Sequence, residues 1–287
     1  MRFGLALSGG GLRGMAHIGV LKALWEEGMK PSWISGASAG AIVSGIYVCG
    51  YTPERMDGIA RSMDKRILDI DYGGLIKSVI TLPFRKDLPI TGIYKGDYVE
   101  DMFRDLTGGR MMREIGFPIA ITAVDINNGQ TVVFTDDRSR FSDDEGGRIV
   151  YRDDAPLYLA IRASIAIPVV FRPRRVNGQL LVDGGVTDGM PVEALRKMGA
   201  QKVLAVNLGY SGQRRDDIDS IIEIGNQTLD IMVGDINAAS GRKADYVLNP
   251  QIYDVALRDV SRIGECIDRG YTAAISHMDE IKETLFR

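Results

Sequence analysis

Cysteine, histidine and tryptophan each occur only twice in the 287 residues. Cys49 and Cys266 lie far apart and in no C-x-x-C or metal-ligand spacing, which argues against a disulfide framework or a structural zinc site and suits two core thiols in a reducing compartment. A basic excess is also missing. With 35 Lys and Arg against 38 Asp and Glu, the net charge is −3, so no positive field exists to hold DNA or RNA. Long hydrophobic runs are absent too. The N-terminal apolar run meets glycines too soon for a signal-peptide core, and residues 40–50 fall far short of the roughly 20 residues that a membrane span needs. These absences predict a cytoplasmic protein without nucleic-acid partners, compatible with transient contact at a membrane surface.

What is present is a chain that is 45% hydrophobic and 25% charged, enough to bury a large α/β core. Strands and helices alternate from the start. Residues 2–8 read as a buried strand, 12–28 carry helical spacing, 31–36 read as a second strand, and 39–49 as a buried helix of small and branched residues. An irregular stretch over 66–95 is a candidate lid. Beyond it come a helix at 96–106, a hairpin over 117–135 with an Asn-Gly turn at 128–129, and a charged stretch 136–154 that reads as a solvated loop. A helix at 155–164 precedes a second Asn-Gly turn and a strand ending at Asp183. A helix starting at Pro191, a strand at 202–209, a helix over 218–240, a strand at 244–249 and a C-terminal helix from about 261 complete the pattern. The sequence predicts one domain over 1–287, a mainly parallel sheet with helices on both faces.

Within "LALSGGGLRG" (5–14), Gly9, Gly11 and Gly14 spell the dinucleotide fingerprint G-x-G-x-x-G. Neither phosphate motif is completed, however. The second strand ends in "GASAG" rather than the acidic residue a Rossmann fold needs, and Gly14 is followed by Met15 and Ala16 instead of Lys-Ser/Thr. Gly36-Ala37-Ser38-Ala39-Gly40 is instead a G-x-S-x-G between a strand and a helix, the context of a serine raised on a sharp turn; the competing role for Ser38 is a helix N-cap. The two motifs leave one edge of a βαβ unit together, so the glycine turn faces Ser38 and can offer its amides to a developing oxyanion.

A base for Ser38 is sought among few residues. His17 lies on the first helix. His277 completes the order Ser38, Asp183, His277 of an α/β-hydrolase triad, but Ser38 follows only the second strand, and His277 shares its helix with an apolar stripe of Ile275, Met278, Ile281 and Leu285. Asp183, at the end of an apolar strand and before two glycines, is the remaining candidate, with a turn-starting aspartate as its bland alternative.

Taken together and in order, "GGGLRG", "GASAG", "ASIAIPVVF" (163–171) and "DGGVTDGMPV" (183–192) resemble the patatin-like phospholipase family in its small bacterial form, over about residues 3–209. The resemblance implies a three-layer α/β/α patatin-like fold. It also implies a lipid acyl hydrolase of phospholipase A or esterase type, working through a Ser38–Asp183 dyad and an acyl-enzyme. Gly9, Gly10 and Gly11 would line the oxyanion hole, with Arg13 at the family's basic position, and neither metal nor cofactor would be needed. Ala163, Ser164 and Pro168 match a site-shaping segment and receive no chemistry. One departure is Asp188-Gly189, where the family commonly has Asn; a second carboxylate there is expected to raise the pKa of Asp183 or alter substrate choice. The alternatives are the Ser38–Asp183–His277 esterase and a catalytically silent lipid-binding relative.

Overall fold

A computed structural model of the chain describes every residue except 1, 65–66, 72, 74–90, 143–145, 211, 213, 215, 217 and 256–258, and only the backbone of 221–222. Most of the candidate lid at 66–95 therefore lies outside the described residues. Among the described residues nine strands form one sheet: β1 (Gly4–Leu7), β2 (Trp33–Ala37), β3 (Ile119–Asp125), β4 (Gln130–Thr135), β5 (Ile149–Arg152), β6 (Arg174–Val176), β7 (Gln179–Asp183), β8 (Val203–Val206) and β9 (Tyr246–Leu248). Their order is β5-β4-β3-β2-β1-β8-β9, with the β6–β7 hairpin attached to β3. The helices are α1 (Ala16–Glu26), α2 (Ala39–Val48), α3 (Pro53–Arg61), α4 (Asp97–Thr107), α5 (Leu157–Ser164), α6 (Gly185–Asp188), α7 (Val192–Lys197), α8 (Ile221–Gly241), α9 (Ile263–Ser276) and α10 (Met278–Phe286).

Alternation along the strands explains why both sheet faces are covered. Leu5, Leu7, Ile34, Ile119, Ile121, Leu204 and Val206 join one core with α1–α5, α9 and α10, whereas the residues between them, Ala6, Trp33, Ala120, Val203 and Ala205, pack against the α7 region. The small side chains on the second face let α7 lie close. Helix α9 also approaches α1 at backbone distance: a Cβ on Gly19 would fall 1.9 Å from the Ile267 carbonyl oxygen, and one on Gly270 would fall 2.1 Å from that of Ala16.

Both Asn-Gly turns form hairpins, and at Asn177–Gly178 both residues take positive φ (48° and 82°), the two-residue turn that matches strand twist. Three expectations are corrected. The charged stretch 136–154 contains β5, paired parallel to β4, and Asp136 is buried, accepting the Ile119 N–H at 3.1 Å and pairing with Arg140 at 2.8 Å. The strand is a short apolar run, residues 149–151, which the charges on either side hide from a reading based on charge. Pro191 caps α7 rather than starting it, and the C-terminal helix breaks at His277 into α9 and α10, with Ile275 exposed.

Strand β3 sets the site. Strand β4 occupies one of its edges; along the other, β2 pairs parallel as far as Ala37 opposite Thr122, and β7 pairs antiparallel with Asp183 opposite Ala123. The two strands run toward each other and end against neighbouring residues of β3. Ser38 and Asp183 are therefore brought together by strand ends meeting head to head, not by two parallel strands leaving the same edge.

Candidate active site

Ser38 occupies the turn between β2 and α2 with φ 52° and ψ −120°, a conformation that costs a non-glycine residue on the order of 1–3 kcal/mol. Its hydroxyl makes no capping bond to α2, so an ordinary N-cap role does not describe it. The flanking glycines permit the turn by close approach. A Cβ on Gly36 would lie 2.3 Å from the Gly40 carbonyl oxygen, and one on Gly40 would lie 2.2 Å from that of Leu7.

Asp183 is buried, 5% exposed, and its Oδ1 accepts the Gly185 N–H at 2.7 Å. Its Oδ2 is also buried and has no hydrogen bond of ordinary geometry among the described residues. Ser38 is the side chain that interacts with this carboxyl. Burial pushes the Asp183 carboxyl up to about 6, and hydrogen bonding from Ser38 and from the Gly185 amide draws it partly back. Asp188 plays no part in that rise. Its own carboxyl is pushed up to about 6 by burial, and it is influenced by Lys243, the Met190 amide and Glu193.

The glycine turn passes directly beside Ser38. A Cβ on Gly9 would sit 3.3 Å from the Ser38 Cβ, and Gly11 takes φ 56°, where a side chain would be strained. The Gly9 N–H is already committed to the Gly189 carbonyl at 3.1 Å, whereas those of Gly10, Gly11 and Ala39 have no partner among the described residues. Of the three glycines expected at the oxyanion hole, Gly9 therefore lies close to Ser38 with its amide engaged elsewhere. Arg13 turns its guanidinium to the C-terminal segment, donating to the carbonyls of Val255 (2.5 Å) and Tyr253 (3.0 Å). Behind the turn, buried His17 donates from Nε2 to the Ser8 carbonyl at 2.8 Å, and burial holds its pKa down at about 4. It is a neutral brace for the loop.

Ser38, Asp183, the glycine turn and Arg13 share a cavity of about 780 Å³. Ser38, Asp183 and Gly9–Gly11 lie on its wall, apolar side chains such as Ile42, Met102, Phe103, Ile167 and Phe171 line one part, and Glu223, Asn226 and Asp230 of α8 add polar groups. His277 is not among the lining residues. It is exposed at the joint between α9 and α10, with Nδ1 2.9 Å from the Ala273 carbonyl, so the structure does not bring it to Ser38 and Asp183.

Two residues of the site-shaping segment, to which the motifs assigned no chemistry, hold the pair. Ser164 Oγ accepts the Ser38 N–H at 2.8 Å, and the Ala166 carbonyl accepts the Asp183 N–H at 3.0 Å. A lone serine in the apolar run "LAIRASIAIPVV" was the available signal, because a buried hydroxyl needs a partner.

The family model described as patatin-like phospholipase matches residues 5–196. An uncharacterized NTE family protein of Mycobacterium tuberculosis is 33% identical over 217 residues, covering 75% of this chain and 52% of its own length. The lysophospholipase NTE1 of Scheffersomyces stipitis is 27% identical over 212 residues, covering 74% of this chain but 12% of its own. The chain thus spans about half the length, or less, of these curated relatives. Among solved structures, ExoU of Pseudomonas aeruginosa, in complex with SpcU, superposes with a TM-score of 0.52 at 16% identity, covering 99% of this chain and 53% of that one. That likeness concerns the fold alone.

Proposed function

The chain belongs to the patatin-like phospholipase family, and from that premise we propose that it hydrolyses carboxylic esters of lipids through Ser38 and Asp183. The observation that carries this reading is a strained, buried serine and a buried carboxyl side by side on the wall of a largely apolar cavity. In the first step Ser38 Oγ attacks the ester carbonyl and its proton passes to Asp183, while the amides of Gly10 and Gly11, which have no partner among the described residues, hold the oxyanion. The C–O bond then breaks, and the leaving alcohol takes that proton. Water attacks the acyl-enzyme with Asp183 again as acceptor, and Ser38 departs reprotonated.

Aspartate is ordinarily too weak a base for serine. Its raised pKa near 6 narrows that gap while leaving it ionised at neutral pH. The cavity volume suits an acyl chain, and a lysophospholipase among the relatives supports a lipid substrate met at a membrane surface. Among the described residues no helix is long and apolar enough to cross a membrane.

The test is a panel of p-nitrophenyl esters and phospholipid vesicles with the wild type, Ser38→Ala, Asp183→Asn and His277→Ala, alongside fluorophosphonate labelling and peptide mapping. Ser38→Ala and Asp183→Asn should each lower kcat/KM by about 1,000-fold or more, with His277→Ala unchanged and the label on Ser38. Label on another residue, or inactivation by His277→Ala, would overturn the dyad. An inactive wild type would leave a binding relative.

A further inference from the structure

Strand β2 ends its ladder at Ala37, so the amide of Ser38 belongs to neither sheet nor helix. At φ 52° that N–H points into the protein, where Ser164, the last residue of α5, waits with no exposed surface and accepts it at 2.8 Å. Among the described residues this is the one bond the Ser38 amide makes. Two residues further on, the Ala166 carbonyl accepts the amide of Asp183. One three-residue span thus holds the backbone at both reacting side chains.

We propose that Ser164 is a positioning residue whose hydroxyl keeps the Ser38 turn strained and in register with Asp183, setting turnover and not substrate binding. The proposal rests on the reading of Ser38 as nucleophile. Without an acceptor at Ser164, the Ser38 N–H would be buried and unpaired, and the turn could satisfy it only by relaxing away from φ 52°. Relaxation carries Oγ with it, because the side chain is fixed to the same Cα. The Ser164 side chain is itself anchored by its place in α5, whose Ala160, Ile161 and Ala163 are fully buried, so it gives a stiff acceptor. Ile165, Ile167 and Pro168 line the cavity, which separates their contact with substrate from the Ser164 contact with the enzyme backbone.

Ser164→Ala and Ser164→Thr, made in the full chain, are compared with wild type on a soluble p-nitrophenyl ester, by kcat, KM, fluorophosphonate labelling rate and Tm. Ser164→Ala should lower kcat and labelling rate together by about 10- to 100-fold, with KM within about twofold and a Tm near that of wild type. Ser164→Thr, which keeps the oxygen, should recover kcat to within about threefold. A wild-type kcat in Ser164→Ala, a loss confined to KM, or a folded Ser164→Thr as slow as Ser164→Ala would overturn the proposal. Labelling of wild-type Ser38 in the same experiment separates these outcomes from a failure of the hydrolase reading, in which Ser38 would not be labelled at all.

Discussion

Burial of Asp183 gives one carboxyl two measurable consequences. Its pKa of about 6 in the fold, against 3.8 unfolded, means that the folded chain binds this proton more tightly, so the group's stabilising contribution is complete below pH 4 and is lost as pH rises through 6. The buried carboxylate then costs about 3 kcal/mol at neutral pH. Asp183→Asn keeps an acceptor for the Gly185 amide without the charge, so its Tm at pH 8 should exceed that of wild type by several degrees, with the two converging below pH 4 in thermal melts. In the proposed mechanism the ionised form is also the base. Wild-type kcat/KM on a soluble ester should therefore climb with pH about a midpoint near 6; a profile flat from pH 5 to 8 would remove Asp183 from the proton path. His17 has the opposite sign. Its pKa, lowered to about 4, makes the fold lose stability as pH falls from 6.5, which partly masks the Asp183 trend in wild type.

At the level of helices and strands, backbone contacts made possible by glycine place the elements. The turn that starts at Gly11 packs on α2 through Gly14, where an added Cβ would lie 2.0 Å from the Ala39 Cβ, next to Ser38. Gly14→Ala should push the glycine turn from the Ser38 turn and lower both kcat and Tm. Gly19→Ala makes an equally severe contact, 1.9 Å from the Ile267 carbonyl, but between α1 and α9 and away from the cavity wall. It should lower Tm by roughly 2–5 °C, an overpacking cost of about 1–3 kcal/mol, while the folded protein keeps its kcat. Calorimetry and active-site titration on the pair would check this. Equal loss of kcat in both variants would mean that the site feels any shift of the core.

Across the whole molecule, the cavity wall is assembled from segments far apart in sequence, and Arg13 ties two of them. Its bonds to Tyr253 and Val255 dock the C-terminal segment beside the glycine turn, and that segment is held from behind by Asp254, whose pairs with Arg262 and Arg269 keep its carboxyl well below the usual range. Since Tyr253 and Val255 line the cavity, Arg13→Ala should raise KM for a long-chain ester several-fold more than it lowers kcat, and Arg13→Lys should fall between. Chain-length profiles of kcat and KM would show it. A pure kcat defect would assign Arg13 to the oxyanion instead.

Much of the local architecture was legible in the sequence, because it depends on neighbours: short apolar runs for β1–β3, the Asn-Gly turn at Asn177–Gly178, and small residues at a strand-to-helix turn that admit a strained Ser38. The family motifs pointed to Ser38 and Asp183 for the same reason. Tertiary structure alone decided how the two meet. The direction of β7, antiparallel and ending against the same edge of β3 as β2, depends on which strand edge remains open once β4 has paired. Likewise the Ser164 bond to Ser38 spans 126 residues, and the Gly189 carbonyl engages the Gly9 amide. Hydrogen-bond commitments of this kind are set by chain closure over long separations, where local propensity carries no information.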